Sequence, residues 1–205
     1  MGLRFRDVLR SMIEVFVDDE WGFLNVKGRH VVDVGAFNGD SSIYFVINGA
    51  EKIIAVEPHP RAYAELLINI RLNGLQSKIM PINVALGRDG FIALPIDVSL
   101  DAVIDKIYEE ICEQSRAVMV KSIKLSDLLD LVDVRPDVLK LDCEGCEFDI
   151  IEGDYSGVRL FKELGIECHL RCGRLRDLIK RLSRDFRCKI VRVLHGRAII
   201  HCMRE

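Results

Sequence analysis

The run VVDVGAFNGDSSIYF, residues 31–45, reads as a strand, a tight turn and the start of a helix. Three valines around one Asp suit a buried strand, Gly35 and Gly39 permit a sharp turn, and the mixed residues from Asp40 onward suit a helix. Such a turn is where a nucleotide-containing cofactor meets backbone N–H groups. A dinucleotide fingerprint wants G-x-G-x-x-G, but the loop here is Gly35-Ala36-Phe37-Asn38-Gly39-Asp40. The middle glycine is missing, and Asp40 would set a carboxylate against a phosphate. Both features weigh against NAD, and a P-loop would also need a Lys-Ser or Lys-Thr pair.

Outward from this turn, short apolar runs alternate with helical patterns. KIIAVEP and SKIMPINVAL read as the second and third strands, with helices DSSIYFVIN closed by Gly49 and RAYAELLINIRLNG closed by Gly74. After a helix around KLSDLLDLV come PDVLKLD as strand four, a short helix in EFDIIEG, KELGIECHL as strand five and a basic helix over 173–185. CKIVRVLHGRAIIHCM then predicts a closing hairpin that turns at His195 and Gly196. The order argues for an α/β fold with a mostly parallel sheet, helices on both faces and a ligand crevice beyond the carboxyl ends of the strands. The expectation is a single domain over 1–205. Phe5, Val8, Leu9, Met12, Ile13 and Phe16 predict a covering helix within 1–24. Residues 86–123 form an insertion in which GRDGFIALPIDVS suggests a small hairpin and 101–117 is weakly helical; it could serve as a substrate flap.

S-adenosyl-L-methionine has no phosphate and carries a sulfonium cation, so nearby carboxylates are tolerable. Gly35 and Gly39 would let the backbone approach it alongside Ala36, Phe37 and Asn38, while Asp33 would hold the turn or reach the amino-acid part through water. Glu57 ends the second strand, where an acidic side chain can accept both hydrogen bonds of a ribose diol. Pro58 and Pro60 end that strand sharply. By fold analogy Asn83, Val84 and Ala85 line the adenine.

With these residues assembled, VVDVGAFNGDSS, IAVEPHP, ELLINIRLNG, VALGRDG and above all LKLDCEGCEFDIIEG resemble the successive motifs of FkbM-type S-adenosylmethionine-dependent methyltransferases, from about residue 31 to 170. The resemblance implies a Rossmann-like methyltransferase fold with seven strands in the order 3-2-1-4-5-7-6. It also implies methyl transfer to a hydroxyl oxygen, usually on a sugar or natural product. Phe37 stands where the family often has Asn, and Asn38 follows it, so either side chain could face the cofactor.

Transfer of a methyl group to a hydroxyl needs alignment and a base. Asp142, Glu144 and His169 sit at the ends of strands four and five, with Glu167 just behind. Asp142 reads as the substrate-orienting residue or base, although a strand-end Asp also fixes turns. Glu144 ranks above Glu147 for substrate contact, because Glu147 could simply favour a helix N-terminus. His169 can exchange a proton near neutral pH, and a hydrogen-bonded core histidine is the plainer alternative.

Composition bounds the remaining readings. Apolar residues at 49% and charged residues at 30% predict a packed core. The charged N-terminal stretch gives neither a secretory h-region nor a membrane span, so a cytoplasmic setting with reduced thiols is expected for the seven cysteines. Cys143, Cys146, Cys168 and Cys172 could converge as a zinc site or as disulfides, but no metal is expected. Eleven Lys and Arg after His169, against Asp177, Asp185 and Glu205, make the tail basic. This suits a solvated helix face, or contact with an anionic partner. The expected partner is a small hydroxylated acceptor, sugar-like or anionic, without a membrane, and nucleic acid stays open as the less favoured partner. An RNA or protein methyltransferase, a cofactor-binding subunit docking through the basic helix, and an NAD-dependent oxidoreductase are the alternatives.

Overall fold

Strand β1 (His30–Val34) lies at the centre of a seven-stranded sheet in the computed structural model, which describes residues 2–96, 116–169, 175–194 and 196–205. It is followed by α2 (Asp40–Ile47), β2 (Lys52–Val56), α3 (Pro60–Leu72) and β3 (Ile79–Ile82), with α1 (Ser11–Phe16) before it. The short β4 (Ala85–Leu86), β5 (Gly90–Pro95) and β6 (Ala117–Ile123) come next, then α4 (Leu125–Leu131) and β7 (Val138–Leu141). Helices α5 (Cys146–Gly153) and α6 (Tyr155–Val158), β8 (Glu163–His169), α7 (Leu175–Leu182), β9 (Phe186–Leu194) and β10 (Arg197–Arg204) complete the order.

The large sheet runs β3-β2-β1-β7-β8-β10-β9 and is parallel except for β10, which is antiparallel to both β8 and β9. This is the order that the resemblance implied, and the closing hairpin is where the sequence put it; His195, read as part of its turn, lies outside the described residues. Alternation along the central strands sends side chains into two cores. Val31, Ile53, Val138 and Ile199 pack with Phe45, Leu66 and Trp21 on one face. Val32, Ile54, Leu139 and Ile200 pack with Leu128, Ile150, Leu178 and Leu182 on the other. Burial on both faces explains why β1, β2 and β7 read as nearly continuous apolar runs.

One polar pair interrupts that run. Asp33 and Lys140 are register partners on β1 and β7, both essentially without solvent exposure, with Nζ 3.0 Å from Asp33 Oδ1. The same ammonium donates to the Gly35 carbonyl at 2.9 Å and lies 3.5 Å from Asp142. Burial opposes its charge, but Asp33 and Asp142 outweigh that cost and push the lysine pKa up.

Several expectations are corrected. The N-terminal helix is confined to Ser11–Phe16, and Val8 and Ile13 are exposed. Residues 4–6 instead run as a strap on α3, because the N–H groups of Arg4 and Arg6 bond to the side chains of Asn73 and Asn69. Pro60, read with Pro58 as ending the second strand, is the first residue of α3, where its missing N–H costs nothing. The hairpin expected around Asp89 and Gly90 is absent. Strands β4 and β5 both pair with β6, one parallel and one antiparallel, as a separate three-stranded sheet. The weakly helical reading of 101–117 falls mostly outside the described residues.

The cysteines are not all reduced. Cys188 and Cys202 face each other as register partners on β9 and β10 with Cα atoms 4.1 Å apart, and they form a disulfide. Cys143 and Cys146, brought to 5.4 Å by the turn at Gly145, form another. Cys168 is buried in β8, and Cys172 lies outside the described residues. No group of metal ligands and no helix long and apolar enough to cross a membrane occurs among the described residues.

Replacing Lys140 with Met strands the Asp33 carboxylate in the sheet. We expect Lys140→Met to cost about 3–5 kcal/mol in urea unfolding, and the double variant with Asp33→Asn to recover much of it. A single variant as stable as the parent would show that the pair is dispensable.

Candidate active site

The carboxyl ends of β1, β2 and β7 open into a cavity of about 580 Å³, within the size range of small-molecule sites. Its floor is the Gly35 turn. A Cβ on Gly35 would lie 1.7 Å from the Asp142 carbonyl oxygen, and φ there is +76°, so only glycine lets the two strand ends meet. Asp33 faces away from the cavity. Its Oδ2 accepts from the hydroxyls of Ser41 (2.7 Å) and Ser42 (2.6 Å), which fixes the start of α2. Gly39 is the left-handed residue before α2. Asn38 is buried and caps locally, its Oδ1 accepting from the Asp40 N–H, and Ala36 is buried in the core. Phe37, with φ +48°, lines the cavity in its place.

Glu57 is 6% exposed and lines the cavity with Pro58 and Ala85. Its two oxygens accept from the Phe37 N–H at 2.8 Å and the His59 N–H at 2.7 Å. Burial pushes its pKa up to about 7, against the pull of those two bonds. Each oxygen keeps a second lone pair for a ligand. Asn83 serves this corner from behind, its Nδ2 donating to the carbonyls of Glu57 (2.8 Å) and Pro58 (3.0 Å). The small sheet roofs the cavity through Leu86, Phe91 and Leu94, and the His59 ring bonds the Pro95 carbonyl at 2.9 Å. The insertion therefore contributes to the cavity wall.

At the end of β7, Asp142 and Glu144 both line the cavity. Glu144 has φ +56° and pairs with His169 Nε2 at 3.0 Å. His169 lies behind it, 5% exposed, with Nδ1 3.3 Å from Glu147 and Nε2 3.3 Å from Glu167. Burial disfavours its charge, but Glu144 and Glu147 more than offset that and raise its pKa to about 10. An imidazolium has no lone pair with which to take a proton, and the geometry sets the His169 ring against three carboxylates, those of Glu144, Glu147 and Glu167. Glu147 holds this cluster, accepting from the N–H of His169 (3.1 Å) and of Gly145 (2.8 Å), rather than simply favouring the start of a helix.

The sequence reading missed most of the remaining wall. Glu20 and Trp21 come from the N-terminal segment and Arg197 from β10, while Glu167, already placed just behind the strand ends, comes from β8. Arg197 reaches Glu14 at 2.7 Å and Glu167 at 3.1 Å. Burial and the nearby Asp142 raise Glu20 to about 7 and Glu167 to about 9, and burial raises Asp40 to about 6. The cavity thus carries nine carboxylates, those of Glu14, Glu20, Asp40, Glu57, Asp89, Asp142, Glu144, Asp149 and Glu167, against Arg88, Lys140 and Arg197, each already paired with a carboxylate. This donor set fits a sulfonium-bearing nucleoside and disfavours a pyrophosphate.

Comparison with known proteins agrees with this geometry. The sequence profile of the methyltransferase FkbM domain matches residues 33–188. No curated protein matches the chain in sequence. Among solved structures, a protein of the NADB-Rossmann superfamily from Streptococcus agalactiae is 17% identical with a TM-score of 0.58, covering 100% of this chain and 71% of its own. TrmK of M. capricolum in complex with S-adenosyl-homocysteine is 13% identical with a TM-score of 0.55, over 92% and 67%. An O-methyltransferase from Bacillus cereus in complex with the same compound is 11% identical with a TM-score of 0.56, over 99% and 84%. At these identities the likeness is one of fold.

The raised groups set a pH dependence. Glu20, Glu57, Asp40 and Glu167 bind protons more tightly folded than unfolded, so stability falls as pH rises from the ordinary carboxylate range through their folded pKa values of about 6 to 9. His169 adds in the same direction, its contribution being full below its unfolded pKa and lost toward about 10. We expect the ligand-free protein to melt higher at pH 5.5 than at pH 8. Each pKa unit is worth about 1.4 kcal/mol, or roughly 3–6 °C at this chain length. Glu20→Gln should flatten the slope, and a profile that rises over this range would contradict the assignment.

Proposed function

The chain belongs to the FkbM family and is an S-adenosylmethionine-dependent methyltransferase, and on that premise we propose that it methylates a hydroxyl oxygen of a sugar or other small molecule. When bound, the cofactor supplies a methyl group on a sulfonium, with its leaving group built in. What remains for this chain is to hold two ligands in line, exclude water and accept the hydroxyl proton.

Glu57 would hold the ribose diol through its cavity-facing lone pairs, with its backbone corner braced by Asn83. The turn from Gly35 to Gly39 would bring backbone groups against the cofactor, and Ala85 with Val84 would border the base. The observation that carries the hydroxyl reading is Asp142. It ends β7, adjoins Gly35, lines the cavity and has a side chain 27% exposed, so its carboxylate is open to a ligand while Lys140 steadies it. That placement suits orienting an acceptor hydroxyl and holding its proton. Glu144, fixed by the His169 imidazolium, stands next to it as a second contact.

Leu178 and Leu182 of α7 are buried, and Arg181 stacks over the Tyr155 ring at 4.6 Å, so part of its charged face serves packing.

Glu57→Ala should weaken S-adenosylhomocysteine binding by roughly tenfold or more in calorimetry, since hydrogen bonds to a charged group are lost. Glu57→Gln, which keeps the side-chain shape, should lose less, and unchanged affinity in both variants would remove the ribose role. Asp142→Ala should lower turnover by about a hundredfold while leaving that affinity within a few-fold. Turnover equal to the parent would take Asp142 out of the reaction.

A further inference from the structure

Strand order divides the cavity. Glu57 ends β2, Asp142 follows β7, and Glu167 and Arg197 lie on β8 and β10. Between β2 and β8 stand β1 and β7, so the ribose corner and Glu167 are three strand spacings apart, roughly 14 Å. Glu167 lies on the side of Asp142 away from the nucleoside. Glu20 and Trp21, from the N-terminal segment, close the same end.

This end has more negative charge than its cations can answer. Arg197 is held by Glu14 and Glu167, Lys140 by Asp33 and Asp142, and the His169 imidazolium by Glu144, Glu147 and Glu167. Glu20 is 6% exposed, and its nearest cation is Arg197 at 3.9 Å. Glu167 is 1% exposed. Its Oε1 takes both Arg197 and His169, while Oε2 is buried with no hydrogen-bond partner among the described residues. Beside them lies the Trp21 ring, which already has the Lys140 ammonium 5.5 Å from its centroid.

We propose that Glu20, Glu167 and Trp21 form the acceptor subsite and that it selects an acceptor carrying an ammonium group near the hydroxyl, such as an amino sugar. The inference rests on the hydroxyl-methyltransferase reading and names its substrate class. An anionic acceptor would lie among carboxylates, with Arg197 and Lys140 each held by two of them and Arg88, elsewhere on the wall, paired with Asp149. A neutral polyol would donate hydrogen bonds but leave the charge unanswered. An ammonium does both, and it can also lie against an indole ring. In the ligand-free protein the two glutamates meet the same demand by keeping protons, with burial and Asp142 raising both pKa values.

Trp21 is the single tryptophan of the chain, so intrinsic fluorescence reports on this subsite directly. The protein, saturated with S-adenosylhomocysteine, is titrated with glucosamine, N-acetylglucosamine, glucose and glucuronate. Glucosamine should change the emission saturably, with half-saturation at least about fivefold lower than for the other three. Glu20→Gln and Glu167→Gln, each made alone, should abolish the preference while binding S-adenosylhomocysteine as the parent does. Equal responses to glucose and glucosamine, a preference for glucuronate, or no response to any of the four overturns the subsite. So does weakened S-adenosylhomocysteine binding in Glu20→Gln, which would assign that carboxylate to the cofactor. Mass spectrometry of products separates the two readings. Methyl transfer to the oxygen of neutral sugars with no gain from an amine removes the subsite and leaves hydroxyl transfer standing. A methyl group found on the glucosamine nitrogen removes hydroxyl transfer and leaves the subsite standing.

Discussion

The ion pair between Asp33 and Lys140 is the constraint on which the site depends. Two adjacent central strands each contribute one charged residue at the same register position, inside a sheet covered on both faces. Neither charge is tolerable alone there, because desolvating an unpartnered ion costs several kcal/mol. Paired, they do more than cancel. Asp33 reaches forward to the two serines that begin α2, and Lys140 reaches forward to the Gly35 carbonyl and to Asp142. The turn at the floor of the cavity and the loop that carries the candidate base are thereby tied to one buried point.

From that point outward the loops are bent by residues in unfavourable conformations. Phe37 and Glu144 both have positive φ without being glycine, and both side chains line the cavity. Each is held from outside: Phe37 by its N–H to Glu57, and Glu144 by His169 on one side and by the Cys143–Cys146 bridge that spans it. Strain at these two positions accompanies their place on the cavity wall.

Much of this was legible beforehand, for identifiable reasons. β1, β2, β7 and β8 are short apolar runs with glycine or proline after them, and period and punctuation alone locate such elements. Gly35, Glu57 and Asp142 could be named because each lies within a residue or so of a strand end, where topology alone dictates position. Glu20, Trp21 and Arg197 could not. They reach the cavity from the N-terminal segment and from an antiparallel strand, brought together by contacts 170 or more positions apart, as in the pairing of Arg197 with Glu14. The N-terminal helix failed because helical spacing cannot see that Asn69 and Asn73 offer the backbone another partner. The thiol pairings failed because a pattern of cysteines does not reveal which strands face each other.

The bridge between Cys188 and Cys202 joins the outermost strand of the large sheet to its neighbour. β9 is an open edge with exposed Ile190, Val191 and Val193, the kind of surface onto which a strand from another molecule can add. Arg187, Lys189 and Arg192 interrupt that apolar surface with like charges that repel a second copy of the same edge. The covalent link closes a loop of fourteen residues, restricting the unfolded chain by about 3 kcal/mol, and it denies the hairpin the register slip by which an edge strand exchanges partners. One of the two edge strands of the sheet is therefore held by a covalent bond, which braces the hairpin that carries Arg197.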